Sequence, residues 1–160
     1  MFKISFKEDF MDTLVFQDKV TVVTLKGKVV MPDWCDSLPA EIRNWVWEHP
    51  SVDVTETWGK DSPILHLEVS AKSKRAEEDA FNPVTGQRIA ESRAKIKLYK
   101  FMHTLTDKMC QYYFKLVYGD GEVHNVFLNN SAPGLYQVVK KYQELYIKES
   151  HHLGELLSKA

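Results

Sequence analysis

Residues 81–94 read FNPVTGQRIAESRA, and this stretch says most about the architecture of the chain. Asn82 is typical of a helix N-cap, and Pro83 suits the first helical position because it has no N–H group to leave unpaired. Three small residues then follow at intervals of four and share one face of the helix: Gly86, Ala90 and Ala94. A face with almost no side chains lets a helix lie unusually close to a sheet or to a second helix. The stretch predicts close packing, and it holds no nucleophile, metal cage or phosphate loop.

Downstream of Pro83, apolar residues recur with the helical period of about 3.6. They trace one stripe: Ala94, Leu98, Phe101, Met102, Leu105, Met109, Tyr112, Tyr113 and Leu116. This pattern predicts a single long helix that ends near Tyr118, before Gly119-Asp-Gly121. The alternative breaks the helix at residues 104–108 and pairs a strand at 112–118 with one at 122–128, because the sequence YYFKLVY is β-prone. Residues 122–128 form a strand under either interpretation.

A second helix is predicted to open at the sequence SAPG, residues 131–134. Its apolar stripe runs from Leu135 to Leu157 and complements that of the first long helix. We therefore expect the two long helices to pack as an antiparallel pair.

The first third of the chain has the alternating pattern of strands. Strands are predicted at residues 2–6, at 20–25 and 28–31 around a tight Lys26-Gly27 turn, and at 52–58 and 64–71. In the last of these, Leu65, Leu67, Val69 and Ala71 share one face. A short helix is predicted at residues 37–48, and a loop at 72–80.

The predicted fold class is α+β: an antiparallel sheet from residues 2–71 plus 122–128, the short helix, and a C-terminal layer of two long helices. One domain is expected over residues 1–160, mainly β over 1–75 and mainly α over 81–160 with one strand near 122–128.

The composition is that of an ordinary globular protein, with 44% hydrophobic and 27% charged residues. No apolar run approaches about 20 residues, so no transmembrane helix and no membrane partner are expected. The first residues, MFKISFKED, become charged too early for a signal peptide. Cys35 and Cys110 lie far apart and form no CxxC pair, which disfavours a disulfide scaffold and favours the cytoplasm.

A basic segment at residues 72–100 holds eight Lys and Arg against four Asp and Glu, although the net charge of the chain is −1. Six cations there are candidates for contact with a phosphate backbone: Lys72, Lys74, Arg75, Arg93, Lys97 and Lys100. The last three align on one helical face. The competing interpretation is a solvated helix face, because Glu77, Glu78 and Asp79 lie beside it and strong binders are basic across the whole domain.

A metal site is a weaker candidate. His103 and Asp107 are four residues apart on the long helix, with Cys110 after them, and His151 and Glu155 repeat the spacing on the last helix. Antiparallel pairing of the helices would be needed to bring four ligands together. Neither HExxH nor ExxH occurs, so a polar helix edge is favoured, and no cofactor, metal or catalytic residue is predicted.

Aromatic residues are plentiful, with four Trp, seven Tyr and eight Phe. Trp45 and Trp47 lie about 200° apart on a helix, so they do not share one core-facing side. Tyr112 and Tyr113 widen the stripe of the long helix. Because aromatic side chains dominate binding hot spots, these four are the candidate protein-binding residues, for another protein or a second copy. The competing interpretation is an intramolecular core.

Residues 69–94 also contain a strand–loop–helix pattern: Val69-Ser-Ala71, Glu77-Glu-Asp79, Phe81, Gly86, Ile89-Ala90 and Arg93-Ala94. The pattern resembles one in small bacteriophage and prophage proteins of unknown role. It covers about a sixth of the chain and specifies fold rather than chemistry. The resemblance implies an accessory role in virion assembly, control of host functions or evasion of host defence, in the host cytoplasm.

The sequence therefore favours a non-catalytic protein-binding accessory protein of a phage or mobile element. Nucleic-acid binding through the basic segment is the alternative, and a metal-dependent enzyme is a distant third.

Overall fold

The computed structural model describes residues 5–16, 20–31, 39–48, 51–58, 63–74, 83–118 and 133–159. They form four strands and three helices: β1 (Ser5–Phe16), β2 (Val20–Val30), α1 (Ala40–Glu48), β3 (Asp53–Trp58), β4 (Pro63–Lys74), α2 (Pro83–Tyr118) and α3 (Pro133–Lys159). The strands make one antiparallel sheet in the order β1-β2-β4-β3. The predicted α+β class, with a short helix and two long C-terminal helices, is confirmed.

The sheet has one buried face and one open face, because side chains alternate along each strand. Leu65, Leu67, Val69 and Ala71 of β4 are buried on one side, as their spacing predicts. Glu68 and Ser70 lie on the other side and are exposed. There, the Thr24 and Ser70 hydroxyls are hydrogen-bonded across β2 and β4 at 2.8 Å. The core of the described residues therefore lies between the buried face and the helices.

The predicted turn at Lys26-Gly27 is wrong, since β2 runs unbroken through both residues. Lys-Gly matches the chemistry of a turn, but Gly27 lies on the buried face between Leu25 and Val29. Alternation across the whole segment outweighs the local turn preference.

The first strand also continues beyond its predicted end at Phe6, because β1 covers Ser5–Phe16, while residues 2–4 of the predicted strand lie outside the described residues. Its pairing register with β2 shifts between Glu8 and Phe10, as at a β-bulge. The charged run Lys7-Glu-Asp9 interrupts the alternation of apolar and polar residues, so the sequence pattern did not predict that the strand continues.

The long helix α2 spans 36 residues, so the single-helix prediction is confirmed and the strand at 112–118 is wrong. Ala90 and Ala94 are fully buried in the core, and a Cβ on Gly86 would lie 2.9 Å from the Thr21 Oγ1 on β2. The small face of α2 therefore lies against the sheet.

The last helix α3 packs mainly on α2. Early residues of α2, such as Arg88 and Lys95, line one hollow with Glu149 and Leu156 from late in α3, so the two helices run antiparallel. The loop predicted at residues 72–80 is wrong for its first three residues, because β4 continues to Lys74. The rest of that loop and the predicted strand at 122–128 lie outside the described residues.

Candidate protein-binding surface

The helix α1 carries two tryptophans in different environments. Trp45 faces inward, and its ring stacks on Phe101 of α2 with centroids 5.0 Å apart and planes 18° apart. Lys108 Nζ lies 5.5 Å from the centre of the Trp45 ring, within the range of a cation–π contact. Together with the buried Ile42 and Val46, Trp45 fixes α1 against the core.

Trp47 points away from the core and is 50% exposed. It borders an open hollow of about 450 Å³ between α1 and β3, which Arg43, Thr55 and Glu56 also line. A large, half-exposed indole ring thus lines a hollow together with charged side chains. The sequence predicts that the two tryptophans diverge, but it does not predict the hollow.

An ion pair lines this hollow. Arg43 Nη2 lies 3.5 Å from Glu56 Oε1, and the side chains are 41% and 13% exposed. Glu56 lies on the core-facing side of β3, opposite Leu65 of β4. A carboxylate in that position needs a cation nearby, because burying an unpaired charge is costly. Neither Glu56 Oε1 nor Arg43 Nε has a hydrogen-bond partner within the described protein.

Arg43 and Glu56 are not among the binding residues predicted from the sequence. A usable signal was present: in the predicted strand 52–58, Glu56 falls on the same side as Val54 and Trp58. An acidic residue on the apolar side of a strand predicts a nearby cation.

Tyr112 lies in a different hollow, of about 210 Å³, lined by Glu41, Ile42, Lys108, Gln111, Tyr112 and Lys115. It is half-buried and packs against the core. The side chain of Tyr113 lies outside the described part. The three aromatic candidates whose side chains are described, Trp45, Trp47 and Tyr112, are therefore not gathered into one patch.

Two of the six candidate cations for nucleic acid contact the main chain of β4. Arg93 Nη1 donates to the carbonyl of Lys72, and Lys97 Nζ donates to the carbonyl of Ser70, each at 2.9 Å. Lys72, Lys74 and Lys100 have exposed side chains. Arg75 lies outside the described residues.

These two bonds cover a strand edge that has no partner strand among the described residues. β3 pairs with β4 only as far as Glu68, and β4 continues to Lys74. The Pro63 carbonyl accepts from Met31 N–H on the β2 side, and carbonyl directions alternate along a strand. The Ser70 and Lys72 carbonyls therefore face the edge that β3 leaves unpaired, where the two cations satisfy them.

The metal candidates lie apart. His151 and Glu155 are on late turns of α3, which lie beside Arg88 to Lys95 of α2. His103 is eight residues beyond Lys95, about 12 Å along the helix axis. Asp107 accepts a hydrogen bond from Gln111 Nε2 at 3.1 Å. Among the described residues, no three His, Cys, Asp or Glu side chains are grouped as a metal site requires.

Cys110 is fully buried. Burial, helped by the negative charge of Asp107, raises the pKa of its thiol to about 12. The thiol is therefore protonated at neutral pH and is a poor nucleophile. Cys35 lies outside the described residues.

Comparison of this chain with protein-family models, with curated proteins and with solved structures finds no match. In the ranges that the structure describes, no helix has the length and apolar character needed to cross a membrane.

Proposed function

We propose that this protein is a non-catalytic protein-binding protein that holds its partner at the Trp47 hollow, defined by Arg43, Trp47, Thr55 and Glu56. The observation that carries the proposal is the half-exposed Trp47 ring, which lines one hollow together with the Arg43–Glu56 ion pair. Tryptophan and arginine are the residues most enriched among binding hot spots.

The surroundings of Trp47 favour binding for a physical reason. The opposite side of α1 is held by Ile42, Val46 and the Trp45–Phe101 stack, so the helix presents Trp47 from a fixed backbone. A rigid anchor loses little conformational entropy on binding. Covering the exposed half of an indole removes apolar area from water, at roughly 25 cal/mol per Å².

The setting that we propose is a phage or mobile element, on the strength of the resemblance at residues 69–94. The structure gives several of those residues packing roles. Ala90 and Ala94 are buried against the sheet, and Arg93 covers the β4 edge. The resemblance therefore supports a shared scaffold, and the choice of partner rests on the Trp47 hollow.

The test is a tagged pull-down from bacterial lysate, with and without nuclease, read by mass spectrometry. It compares the natural chain with Trp47→Ser and with Val30→Thr. Val30 is a control of similar exposure on the open sheet face, away from α1. We expect a stoichiometric protein that survives nuclease, is kept by Val30→Thr and is weakened at least about 30-fold by Trp47→Ser, the loss typical of a hot spot.

Two results would overturn the proposal. Capture that Trp47→Ser leaves intact would place the partner elsewhere on the protein. Partners that vanish with nuclease would favour nucleic-acid binding, and charge reversal at Lys72, Lys74 and Lys100 would then abolish capture. Arg93 and Lys97 are left out of that variant because they bond to β4.

A further inference from the structure

The helix α3 has a second surface, separate from the one that contacts α2. Of its described side chains, only Val139 and Tyr142 are fully buried, and both lie in its first half. The second half carries two of the exposed large apolar side chains of the described protein, Ile147 and Leu157, at 47% and 45% exposure. Because α3 packs mainly on α2, the side of α3 that faces away from α2 can contact a further helix.

Four uncharged residues form a strip along this half of α3: Ile147, Ser150, Gly154 and Leu157. At about 100° per residue they fall within an arc of about 80°, and they extend over about 15 Å. Ile147 and Leu157 lie at its two ends, and the small residues Ser150 and Gly154 lie between them. A Cβ on Gly154 would meet no atom within 4 Å, so this part of the strip faces open space.

We propose that this strip, the α3 strip, binds a second copy of the chain, with the two α3 helices antiparallel across a two-fold axis near residue 152. The spacing of the strip is self-complementary about that point. In this register Ile147 of one protomer meets Leu157 of its partner, and Ser150 meets Gly154. Large residues thus pack on large ones where both are half exposed, and small residues meet where the helices cross.

The chemistry of the strip favours a copy of itself over a charged partner. None of the four residues carries a charge, so pairing of the strips themselves buries no ion. Antiparallel helices also place opposite ends of their dipoles side by side. A contact about 15 Å long belongs to the small interfaces, so the dimer is expected to dissociate on dilution. This inference does not depend on the Trp47 hollow, which lies on α1 and β3.

The first experiment is sedimentation velocity of the full chain over a dilution series. We expect a monomer–dimer equilibrium, at least a tenfold loss of dimer affinity in Ile147→Lys, and no loss in Gln137→Lys. The control adds the same charge to an exposed position of α3 outside the strip. A second variant, Gly154→Leu, fills the crossing point. The open space beside Gly154 lets the monomer fold normally, so loss of the dimer there does not come from unfolding.

The register is tested by cross-linking in a Cys35→Ala background. Chains with Ser150→Cys and chains with Gly154→Cys are mixed, and the mixture is expected to oxidise to a disulfide-linked dimer faster than either chain alone. A protein that stays monomeric at every concentration overturns the proposal, including when the strip captures a different protein. A dimer that keeps its affinity in Ile147→Lys and Gly154→Leu, or faster cross-linking of one chain with itself, overturns it as well.

Discussion

Gly86→Ala is expected to destabilise the protein, although alanine is normally the better helix residue. The gain in helix propensity is at most about 1 kcal/mol. Against it, the new methyl group would lie 2.9 Å from Thr21 Oγ1 and 3.6 Å from Thr21 Cβ. Thr21 is buried and β-branched, so its side chain has little freedom to turn away. Overpacking of this kind costs about 1–3 kcal/mol, which gives a net loss of about 1 kcal/mol.

The matched control is Gly154→Ala, the same change in a helix where no atom lies within 4 Å of the new methyl group. It should stabilise the protein by about 0.5–1 kcal/mol. On a Thr21→Ala background, Gly86→Ala should become stabilising as well, because the contact has been removed. The difference between the two backgrounds is the coupling energy of the pair, expected at about 1 kcal/mol or more.

Urea unfolding at low protein concentration measures these values, because self-association then contributes little. In a thermal scan the Gly86→Ala midpoint should fall by roughly 2–4 °C. The reasoning is refuted if Gly86→Ala stabilises the protein as much as Gly154→Ala does. A coupling energy between Gly86→Ala and Thr21→Ala below about 0.3 kcal/mol would refute it equally, because sites that do not interact deviate from additivity by that much.

Three further outcomes are expected. Lys97→Met removes the donor to the Ser70 carbonyl and should lower the free energy of unfolding by about 0.5–1 kcal/mol. It should also raise the aggregation rate in a thioflavin assay, because it uncovers the β4 edge, whereas the control Lys100→Met should change neither quantity. Arg43→Met should lower the free energy of unfolding in urea by about 1 kcal/mol, because Glu56 loses its cation. The double variant with Glu56→Leu should regain that stability, since an apolar pair replaces a half-buried ionic pair. Cys110 keeps its proton in the native state up to pH about 12, while the unfolded thiol ionises near pH 8.5. Above about pH 8.5 the unfolded state therefore loses this proton while the native state keeps it, which lowers the free energy of unfolding by up to about 1.4 kcal/mol per pH unit. The stability difference between the natural chain and Cys110→Ala should shrink from about pH 8 to pH 10.

The helical half of the fold follows closely from the sequence, because its signals are local. The sequence prediction and the structure both place the start of α2 at Pro83. The apolar stripe that includes Leu98, Phe101 and Leu105 is buried, as its helical period predicts. A helix satisfies its own backbone, so spacing within one segment is enough to find it.

The sheet is harder to predict because strand limits depend on pairing with distant segments. Gly27 has the chemistry of a turn, yet its neighbours on β1 and β4, Glu8 and Leu67, hold it inside a strand. The same limit applies to function. The spacing of Arg93 and Lys97 correctly places them on one side of α2, but only the length of β4 beyond its partner β3 shows that they contact main-chain carbonyls.

The free strand edges in the described sheet carry three different protections. β1 has a register shift between Glu8 and Phe10, and bulges of this kind disturb regular pairing at an edge. β3 is only six residues long and turns Glu56 toward the core. The exposed end of β4 is covered by Arg93 and Lys97. Each device is a known obstacle to the addition of a further strand.

These protections bear on where a partner binds. A strand added at β4 would have to displace the Lys97 bond to the Ser70 carbonyl, and one added at β3 would approach the half-buried Glu56 carboxylate. The two surfaces proposed for binding, around Trp47 on α1 and Ile147 on α3, are helical, carry exposed apolar side chains and meet no such obstacle. Binding through side chains on helices, instead of through the backbone of a strand, is therefore the mode that costs this fold least. It also makes recognition depend on a few anchors, which is why single substitutions at Trp47 and Ile147 are expected to separate the two interactions.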